Sequence, residues 1–256
     1  MIEDQFAEST PAFVQAGWDF LAMSRELQVP RSDMLDAIVA QCEGRPPVLV
    51  QRSTATREIS LDPGIAGPRV QLRCASAKEF RDEPLQFHSF CGCLAESCGP
   101  RDAPEAPRPD YRFFQTPSAG NLISTSVWIA ARNVRSIEPG IYFLERAELS
   151  LREYRASPNG LSLAYESLLQ DQMRGAAVLV FIAVSFDRLY QKYGARGFRL
   201  GLLEAGHLGQ ALYMAAYRYG LRACAVAGYM ESQVNDILHL DGKDNSVVYC
   251  VALGMD

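Results

Sequence analysis

The chain is organised around QKYGARGFRLGLLEAGHLGQAL, residues 191–212. The stretch begins as a basic segment punctuated by glycine and runs into an apolar, alanine-rich segment that predicts a long buried helix. A lysine, a tyrosine and two arginines therefore come just before, or at the start of, a segment that is otherwise expected in the core. Because charged groups beside a buried helix are typical of a functional site, we expect one here.

Composition and charge limit the classes of protein to which the chain can belong. The chain has 256 residues, of which 48% are hydrophobic and 21% charged, so it can bury a sizeable core. Its formal net charge of −5 gives no electrostatic reason to expect nucleic-acid binding. No apolar run approaches the ~20 residues that cross a bilayer, and the acidic start lacks the order of a signal peptide. We expect a soluble, cytoplasmic protein that binds neither nucleic acid nor membrane.

The cysteines do not predict a metal site or a disulfide framework. There are 7, an odd number, and they are scattered except for Cys91, Cys93 and Cys98, which follow His88. The spacing of this cluster is unlike that of a zinc knuckle. Helical periodicity instead predicts that two of the cysteines are small core residues, on a stripe of Phe87, Phe90, Cys91, Leu94 and Cys98.

Residues 1–68 predict an appended region of helices and strands. Apolar periodicity indicates helices at Pro11 to Leu27 and Asp33 to Cys42, and a short strand follows at Val48 to Val50. A further short strand, Val70 to Leu72, is predicted just after this region. The helices are suited to a small recognition module or to an arm around a partner subunit, and both alternatives stay open.

Residues 69–256 predict one α+β domain with a mainly antiparallel central sheet and long buried helices. The predicted helices are Gln86 to Ser97, Leu161 to Gln172, Ser185 to Leu189, Phe198 to Tyr219 and Glu231 to Leu238. The predicted strands are Val127 to Ala131, Gly140 to Leu144, Glu148 to Tyr154, Ala176 to Val184, Cys224 to Tyr229 and Val247 to Leu253. The second and third of these strands are expected to form a hairpin.

Several short motifs follow one another along this domain: Pro117–Gly120, Tyr193–Arg199, Glu204–His207, Gly220–Leu221, Val226–Tyr229, Leu240–Asp244 and Val251–Gly254. In this order they resemble the flavin-dependent nitroreductase fold. Within that fold, the chain is similar to the SagB-type azoline dehydrogenases, which oxidise thiazolines and oxazolines to thiazoles and oxazoles. The resemblance covers about Arg73 to Gly254.

The resemblance implies FMN as the cofactor. A flavin phosphate requires cations and hydroxyl donors, while small residues let main-chain amides approach the isoalloxazine ring. For Lys78 the alternative is a solvated surface charge, and for the small-residue segments it is an ordinary turn. The residues that the resemblance assigns to FMN are Arg73, Ser76 and Lys78 for the phosphate side, and Pro117, Ser118, Ala119, Gly120, Asn121, Ala227 and Gly228 for the ring side.

The pair Lys192 and Tyr193 resembles the catalytic pair of the microcin-type members of this family. Lysine accepts a proton only if its pKa is lowered, and a supporting role of Arg196 and Arg199 would provide nearby positive charge for that purpose. Tyr193 would relay the proton or hold the azoline. The alternative is a solvated loop on which Tyr190 packs against Tyr193.

Glu204 and His207 lie three residues apart on one face of the predicted helix. They could form an acid–base pair. The interpretation that we favour is a buried hydrogen bond that orients the helix.

The resemblance predicts an FMN-dependent oxidoreductase that oxidises azolines in a ribosomally made peptide. Its implied partners are the precursor peptide, a cyclodehydratase and a second copy of the chain in a homodimer. Two alternatives remain. One is a nitroreductase-type enzyme that uses NAD(P)H on a small molecule. The other is a catalytically idle scaffold subunit of a biosynthetic complex.

Overall fold

A computed structural model describes residues 75–104, 106, 112–154 and 159–256. The appended region predicted at residues 1–68, and Arg73 of the predicted phosphate site, lie outside the described residues. Among the described residues, no helix is long and apolar enough to cross a membrane.

The described residues form five α-helices and eight strands. The helices are α1 (Phe87–Cys98), α2 (Gly160–Glu166), α3 (Phe186–Tyr193), α4 (Arg196–Arg218) and α5 (Glu231–Ile237). The strands are β1 (Pro100–Arg101), β2 (Phe113–Phe114), β3 (Thr125–Ala131), β4 (Gly140–Glu145), β5 (Ser150–Tyr154), β6 (Val178–Ser185), β7 (Arg222–Val226) and β8 (Asn245–Gly254).

Six of the strands build one antiparallel sheet in the order β5-β4-β3-β6-β8-β7. At its centre Val180 pairs with Ile129 on one side and with Val251 on the other. The strands β4 and β5 form the expected hairpin. The predicted mainly antiparallel α+β architecture is confirmed.

Strand β6 is apolar throughout because both faces of the sheet are covered at this point. Alternate side chains of β6 enter two different cores. One core lies under α1 and α4, and the other lies under α2 and α5. The first receives Val178, Val180, Ile182 and Val184, and the second receives Leu179, Phe181 and Ala183.

Helix α4 is the longest element and lies close to the sheet. It has 23 residues, so it is about 34 Å long. The close approach requires glycine at two points. A Cβ on Gly201 would lie 2.6 Å from Cγ1 of Val184, and a Cβ on Gly209 would overlap the ring of Tyr249.

Three predicted elements, α3, α2 and β7, differ from the structure by three or more residues at one end. Helix α3 extends to Tyr193, so Lys192 and Tyr193 lie on its last turn and not in a loop. Gly194, with φ +56°, ends the helix. Helix α2 ends at Glu166, where the hydroxyl of Ser167 donates to the carbonyl of Ala164.

Strand β7 ends at Val226, so the predicted continuation to Tyr229 is wrong. The chain turns away from the sheet edge here, because the carbonyl of Gly228 accepts a hydrogen bond from the amide of Leu169 at 2.9 Å. Ala227 and Gly228 therefore lie on a turn directly after β7.

Helix α1 places two cysteines in the core, but not both of those predicted. Cys93 and Cys98 are fully buried, whereas Cys91 is half-buried and Phe87 is 48% exposed. Burial raises the pKa of the Cys98 thiol. These two cysteines are therefore small hydrophobic side chains in the structure.

The packing of α4 is tested by a matched pair of glycine substitutions. Gly201→Ala is expected to lower the free energy of unfolding by about 1–3 kcal/mol, because the new methyl group overpacks the core. At Gly206 a Cβ has nothing within 4 Å. Gly206→Ala is therefore expected to leave the stability unchanged or to raise it by up to about 1 kcal/mol. Chemical denaturation measures both, and equal losses would contradict the close approach at Gly201.

Candidate functional site

The buried side chain of Glu204 holds the turn at residues 117–121 against α4. One carboxylate oxygen accepts a hydrogen bond from the amide of Ala119 at 3.2 Å. The other accepts from the amide and the hydroxyl of Thr125, each at 3.1 Å. Glu204 is 4% exposed. One carboxylate therefore fixes both the start of the turn and the start of β3.

Arg146 provides positive charge near this buried carboxylate. Its Nη1 donates to the hydroxyl of Thr125 at 3.2 Å, and its Nε donates to the carbonyl of Cys98 at 2.8 Å. The guanidinium also lies 4.5 Å from the ring centroid of Phe114. Burial lowers the pKa of Arg146, while Cys98 and Glu204 act in the opposite direction. Sequence reasoning missed Arg146, since no local pattern connects it to Glu204.

The turn also has its own internal support. The hydroxyl of Ser118 accepts a hydrogen bond from the amide of Ile123 at 2.8 Å. The side-chain amide of Asn121 donates to the carbonyl of Arg112 at 3.0 Å. Both Gly120 and Asn121 have positive φ, +55° and +56°. The turn therefore has a defined conformation that favours glycine at position 120.

Lys192 and Tyr193 lie directly against Gly120. The ammonium group of Lys192 donates to the carbonyl of Gly120 at 3.5 Å and lies 5.4 Å from the ring centroid of Tyr193. A Cβ on Gly120 would overlap the hydroxyl of Tyr193 and would lie 2.5 Å from Nζ of Lys192. The structure thus brings the predicted catalytic pair and the predicted ring-side turn together.

The groups around this pair are mostly open to solvent. Lys192 is exposed and Tyr193 is half-buried, and Arg196 and Arg199 are exposed at the start of α4. The single chain therefore does not bury the amine that sequence analysis identifies as a base. Tyr190 stacks on Phe186, with ring centroids 6.1 Å apart, and so has a packing partner other than Tyr193.

Glu204 and His207 point to different environments. Glu204 is buried under the turn, whereas His207 is exposed on the outer side of α4. Since the carboxylate already accepts three hydrogen bonds, the geometry favours the orienting role over an acid–base pair.

A second group of predicted cofactor residues lies beside β7. The hydroxyls of Ser76 and Tyr213 are 3.0 Å apart, and the Tyr213 hydroxyl accepts from the amide of Ala225 at 2.6 Å. The amide of Ala77 donates to the carbonyl of Ala223 at 2.9 Å, so the chain around Ser76 and Ala77 lies beside strand β7. Tyr213 was missed by sequence reasoning, because it is 137 residues away from Ser76.

A cleft of about 540 Å³ opens at this segment, lined by Ser76, Lys78, Arg81 and Arg222 among others. Arg222 pairs with Asp256 at 2.7 Å, and Arg81 pairs with Glu83 at 3.8 Å. Lys78 has no ion-pair partner in the part of the chain that the structure describes. A hydroxyl and an uncommitted ammonium group in one cleft are the donor set that a phosphate requires.

The predicted cofactor residues therefore form two groups on opposite sides of α4. The turn group comprises residues 117–121 with Lys192 and Tyr193, and the strand group comprises Ser76 and Lys78. Ala227 and Gly228 follow the end of β7, where Gly228 contacts Leu169, and they do not line the cleft at Ser76 and Lys78. Glu204 contacts the first group and Tyr213 the second. These two α4 residues are nine apart, which is two and a half helical turns, so they project to opposite sides about 13 Å apart along the axis.

Comparison with known proteins gives the family. The model of the nitroreductase family matches residues 70–255, most of the chain. The chain belongs to the nitroreductase family. A nitroreductase homologue from Methanocaldococcus jannaschii is 27% identical to it over 171 residues, which are 67% of this chain and 83% of the archaeal protein. The enzymes of this family are flavin oxidoreductases.

Solved structures that resemble this chain confirm the fold. An Escherichia coli microcin synthetase complex, McbBCD with truncated pro-MccB17 bound, contains a chain with a TM-score of 0.75 and 19% identity. That match covers 97% of this chain and 94% of the E. coli chain. A nitroreductase homologue from Anabaena variabilis has a TM-score of 0.58 and 27% identity, over 72% of this chain and 36% of the longer one.

The role of Glu204 generates a stability prediction. Glu204→Ala is expected to lower the free energy of unfolding by about 3 kcal/mol, because two buried amides and a hydroxyl lose a charged acceptor. His207→Ala, on the exposed side of the same helix, is the control and is expected to change stability by less than about 0.5 kcal/mol. Urea denaturation measures the two variants. If Glu204→Ala unfolds at the same midpoint as the control, the carboxylate does not hold the turn.

Proposed function

We propose that this protein is an FMN-dependent dehydrogenase that oxidises thiazolines or oxazolines in a ribosomally made peptide to thiazoles or oxazoles. The observation that carries the proposal is the contact of Lys192 and Tyr193 with Gly120. This contact brings an amine and a phenol to the turn that we assign to the flavin ring, which supports the proposal. A nitroreductase that only passes electrons to a small molecule has no need of such a pair.

The residues present suit FMN. Ser76 and Lys78 offer a hydroxyl and a cation to the phosphate, and Arg73 is proposed to join them. On the ring side, a side chain at position 120 would collide with Lys192 and Tyr193, so glycine lets this pair lie directly against the turn. Bound FMN would supply the acceptor for the hydride that leaves the azoline ring carbon.

Lys192 is proposed to take the proton that leaves the neighbouring Cα of the azoline. The azoline then loses one proton to Nζ of Lys192 and one hydride to the cofactor, which balances the oxidation. Lys192 must be neutral to act in this way. Covering this exposed amine with substrate would favour the neutral form, because desolvation disfavours an ammonium group.

Tyr193 is proposed to hold the azoline for this step. Its hydroxyl lies beside Gly120, and its ring lies under the ammonium group of Lys192. A phenol at this position can donate a hydrogen bond to the ring nitrogen, which orients the Cα–H bond toward Lys192. Arg196 and Arg199, exposed at the start of α4, are proposed to add positive charge near the pair.

The proposed partners follow from the chemistry. An azoline arises by cyclisation and dehydration of a cysteine, serine or threonine in a peptide, so a cyclodehydratase must supply the substrate. The E. coli structure that resembles this chain over most of its length is a microcin synthetase complex with a truncated precursor bound. This likeness supports the proposal that the protein works in a multi-subunit complex on a precursor peptide.

A small-molecule nitroreductase is the second candidate. It is favoured by the family match and by the name of the M. jannaschii relative. Rapid bleaching of the bound flavin by NADH, without oxidation of a thiazoline peptide, would favour this function. Protein that stays colourless after incubation with FMN would instead favour the idle scaffold.

The proposed base is tested by substituting Lys192. Lys192→Ala is expected to keep its flavin absorbance and to lose azoline oxidation by at least about 100-fold, since a positioned base contributes that much. Lys243→Ala, which removes another exposed lysine, is the control and is expected to retain activity. Azole formation from a thiazoline peptide is measured by mass spectrometry. Full activity of Lys192→Ala would show that another group removes the proton.

We also propose that the protein is a homodimer in which each flavin lies between the turn group of one chain and the strand group of the other. The support is the placement of the two groups on opposite sides of α4. The outer side of α4 also carries apolar side chains that suit an interface, with Leu203 53% and Tyr217 46% exposed.

Mixed dimers test this arrangement. One chain carries Lys78→Glu, the other carries Lys192→Ala, and the mixed dimer is isolated with two different affinity tags. If the site is shared, one of its two sites is intact, so about half of the wild-type activity is expected although each parent dimer is inactive. Mixed dimers as inactive as both parents would place the two groups in the same chain's site.

A further inference from the structure

A second cleft opens beside the residues that follow the turn, Leu122 and Ile123, and Gly120 is not among the residues that line it. It has a volume of about 450 Å³, in the range of roughly 300–1,000 Å³ that small-molecule sites occupy. Its walls come from the turn, the start of β3, the end of β4 and the first turn of α3. The apolar lining includes Phe114, Leu122 and Phe143, and the polar lining includes Ser124, Arg146 and Arg188.

Ser124 gives this cleft an unmet hydrogen-bonding requirement. The residue is 2% exposed, and its hydroxyl has no hydrogen-bond partner in the described part of the chain. A buried hydroxyl without a partner costs free energy, so such groups normally meet a protein atom, a water or a ligand. Because Ser124 lines the cleft, a molecule in the cleft can supply the partner.

Arg188 gives the cleft a cation with donors to spare. Its Nη1 donates to the carbonyl of Ile123 at 3.3 Å, and no described residue forms an ion pair with it. The acidic lining residue Glu145 is already paired with Arg152 at 3.4 Å. The donors of the cleft are therefore suited to acceptor oxygens of a ligand.

The cleft is connected to Lys192 through helix α3, because Arg188 lines the cleft and Lys192 follows it by one helical turn. Arg188 and Lys192 are four residues apart on α3, so they share one face and lie about 6 Å apart along it. Lys192 donates to the carbonyl of Gly120, and Arg188 donates to that of Ile123, three residues further along the chain. A molecule that reacted at Lys192 and extended along α3 toward Arg188 would therefore reach the cleft.

We propose that this cleft binds the segment of the substrate peptide that adjoins the azoline. Main-chain carbonyl oxygens of the peptide accept hydrogen bonds from Ser124 and Arg188, and its side chains lie against Phe114, Leu122 and Phe143. A neutral peptide suits the lining better than a free anion. Arg146 already donates to Cys98 and Thr125, so Arg188, one hydroxyl and apolar walls leave too few donors for a phosphate. This inference rests on the proposed function, whose substrate it specifies.

Binding to the flavin-loaded protein tests the subsite without requiring turnover. The probe is a fluorescently labelled thiazole peptide with residues on both sides of the ring, followed by anisotropy. Arg188→Ala is expected to weaken binding about tenfold, the equivalent of one hydrogen bond to a charged group. Arg135→Ala removes an exposed arginine outside the cleft and is the matched control, with unchanged affinity expected.

Ser124→Ala provides a signature that a merely structural residue would not give. Removing a buried hydroxyl that has no partner is expected to leave the free protein as stable or more stable in thermal unfolding. The same substitution is expected to weaken peptide binding several-fold. Weaker binding together with lower stability would mean that Ser124 supports the fold, and would remove it from the proposed subsite.

Kinetics separate this inference from the proposed function. With a thiazoline peptide, Arg188→Ala is expected to raise KM about tenfold at nearly constant kcat. With an N-acetyl thiazoline amide that has no flanking residues, both constants are expected to stay unchanged. Equal effects on the two substrates, or unchanged peptide affinity, would overturn the subsite. Displacement of the peptide by inorganic phosphate in an Arg188-dependent way would overturn it in favour of an anion site.

If wild-type protein binds the peptide through Arg188 but oxidises neither substrate, the subsite stands and the proposed oxidation falls. If wild-type protein oxidises the small azoline but does not bind the peptide, the proposed oxidation is supported and the subsite is overturned.

Discussion

The carboxylate of Glu204 is buried in the interior of the domain, and hydrogen bonds from neighbouring groups stabilise it there. Two main-chain amides and a hydroxyl donate to the carboxylate, and Arg146 adds positive charge through Thr125. Buried charges are tolerated only when they are satisfied in this way. The rest of the candidate site depends on this contact, since the turn that it fixes carries Gly120, and Gly120 in turn receives Lys192 and Tyr193.

The fold delivers these groups to one place through close packing. The central strand β6 contributes side chains to two cores, so both faces of the sheet are packed and α4 lies on a rigid surface. Glycine at positions 201 and 209 lets α4 approach that surface closely. Helix α3 is fastened to α4 by the stacking of Phe186 on Phe198, with ring centroids 5.2 Å apart. The position of Lys192 is therefore set by the core, although its amine lies in solvent.

Much of the fold could be predicted because its signals are local. The apolar run of β6, the helical periodicity of α4 and the hairpin of β4 and β5 are each visible in a short window of sequence. The end of α3 was not predicted. A basic segment with glycines looks like a loop, and the one glycine that ends the helix comes after Lys192, not before it. The contacts of Arg146 and Tyr213 join distant parts of the chain, so no window contains both partners.

The link between α3 and α4 has only two residues, Gly194 and Ala195, and Lys192 lies four residues before Arg196, where the second helix begins. Each residue of a helix turns the direction of its side chain by about 100°. One residue inserted or deleted between Phe186 and Lys192 would therefore swing the amine away from Gly120, while the sheet and both cores would stay as they are. In related chains, a lysine on this helix therefore reaches the turn only if the helix keeps this length.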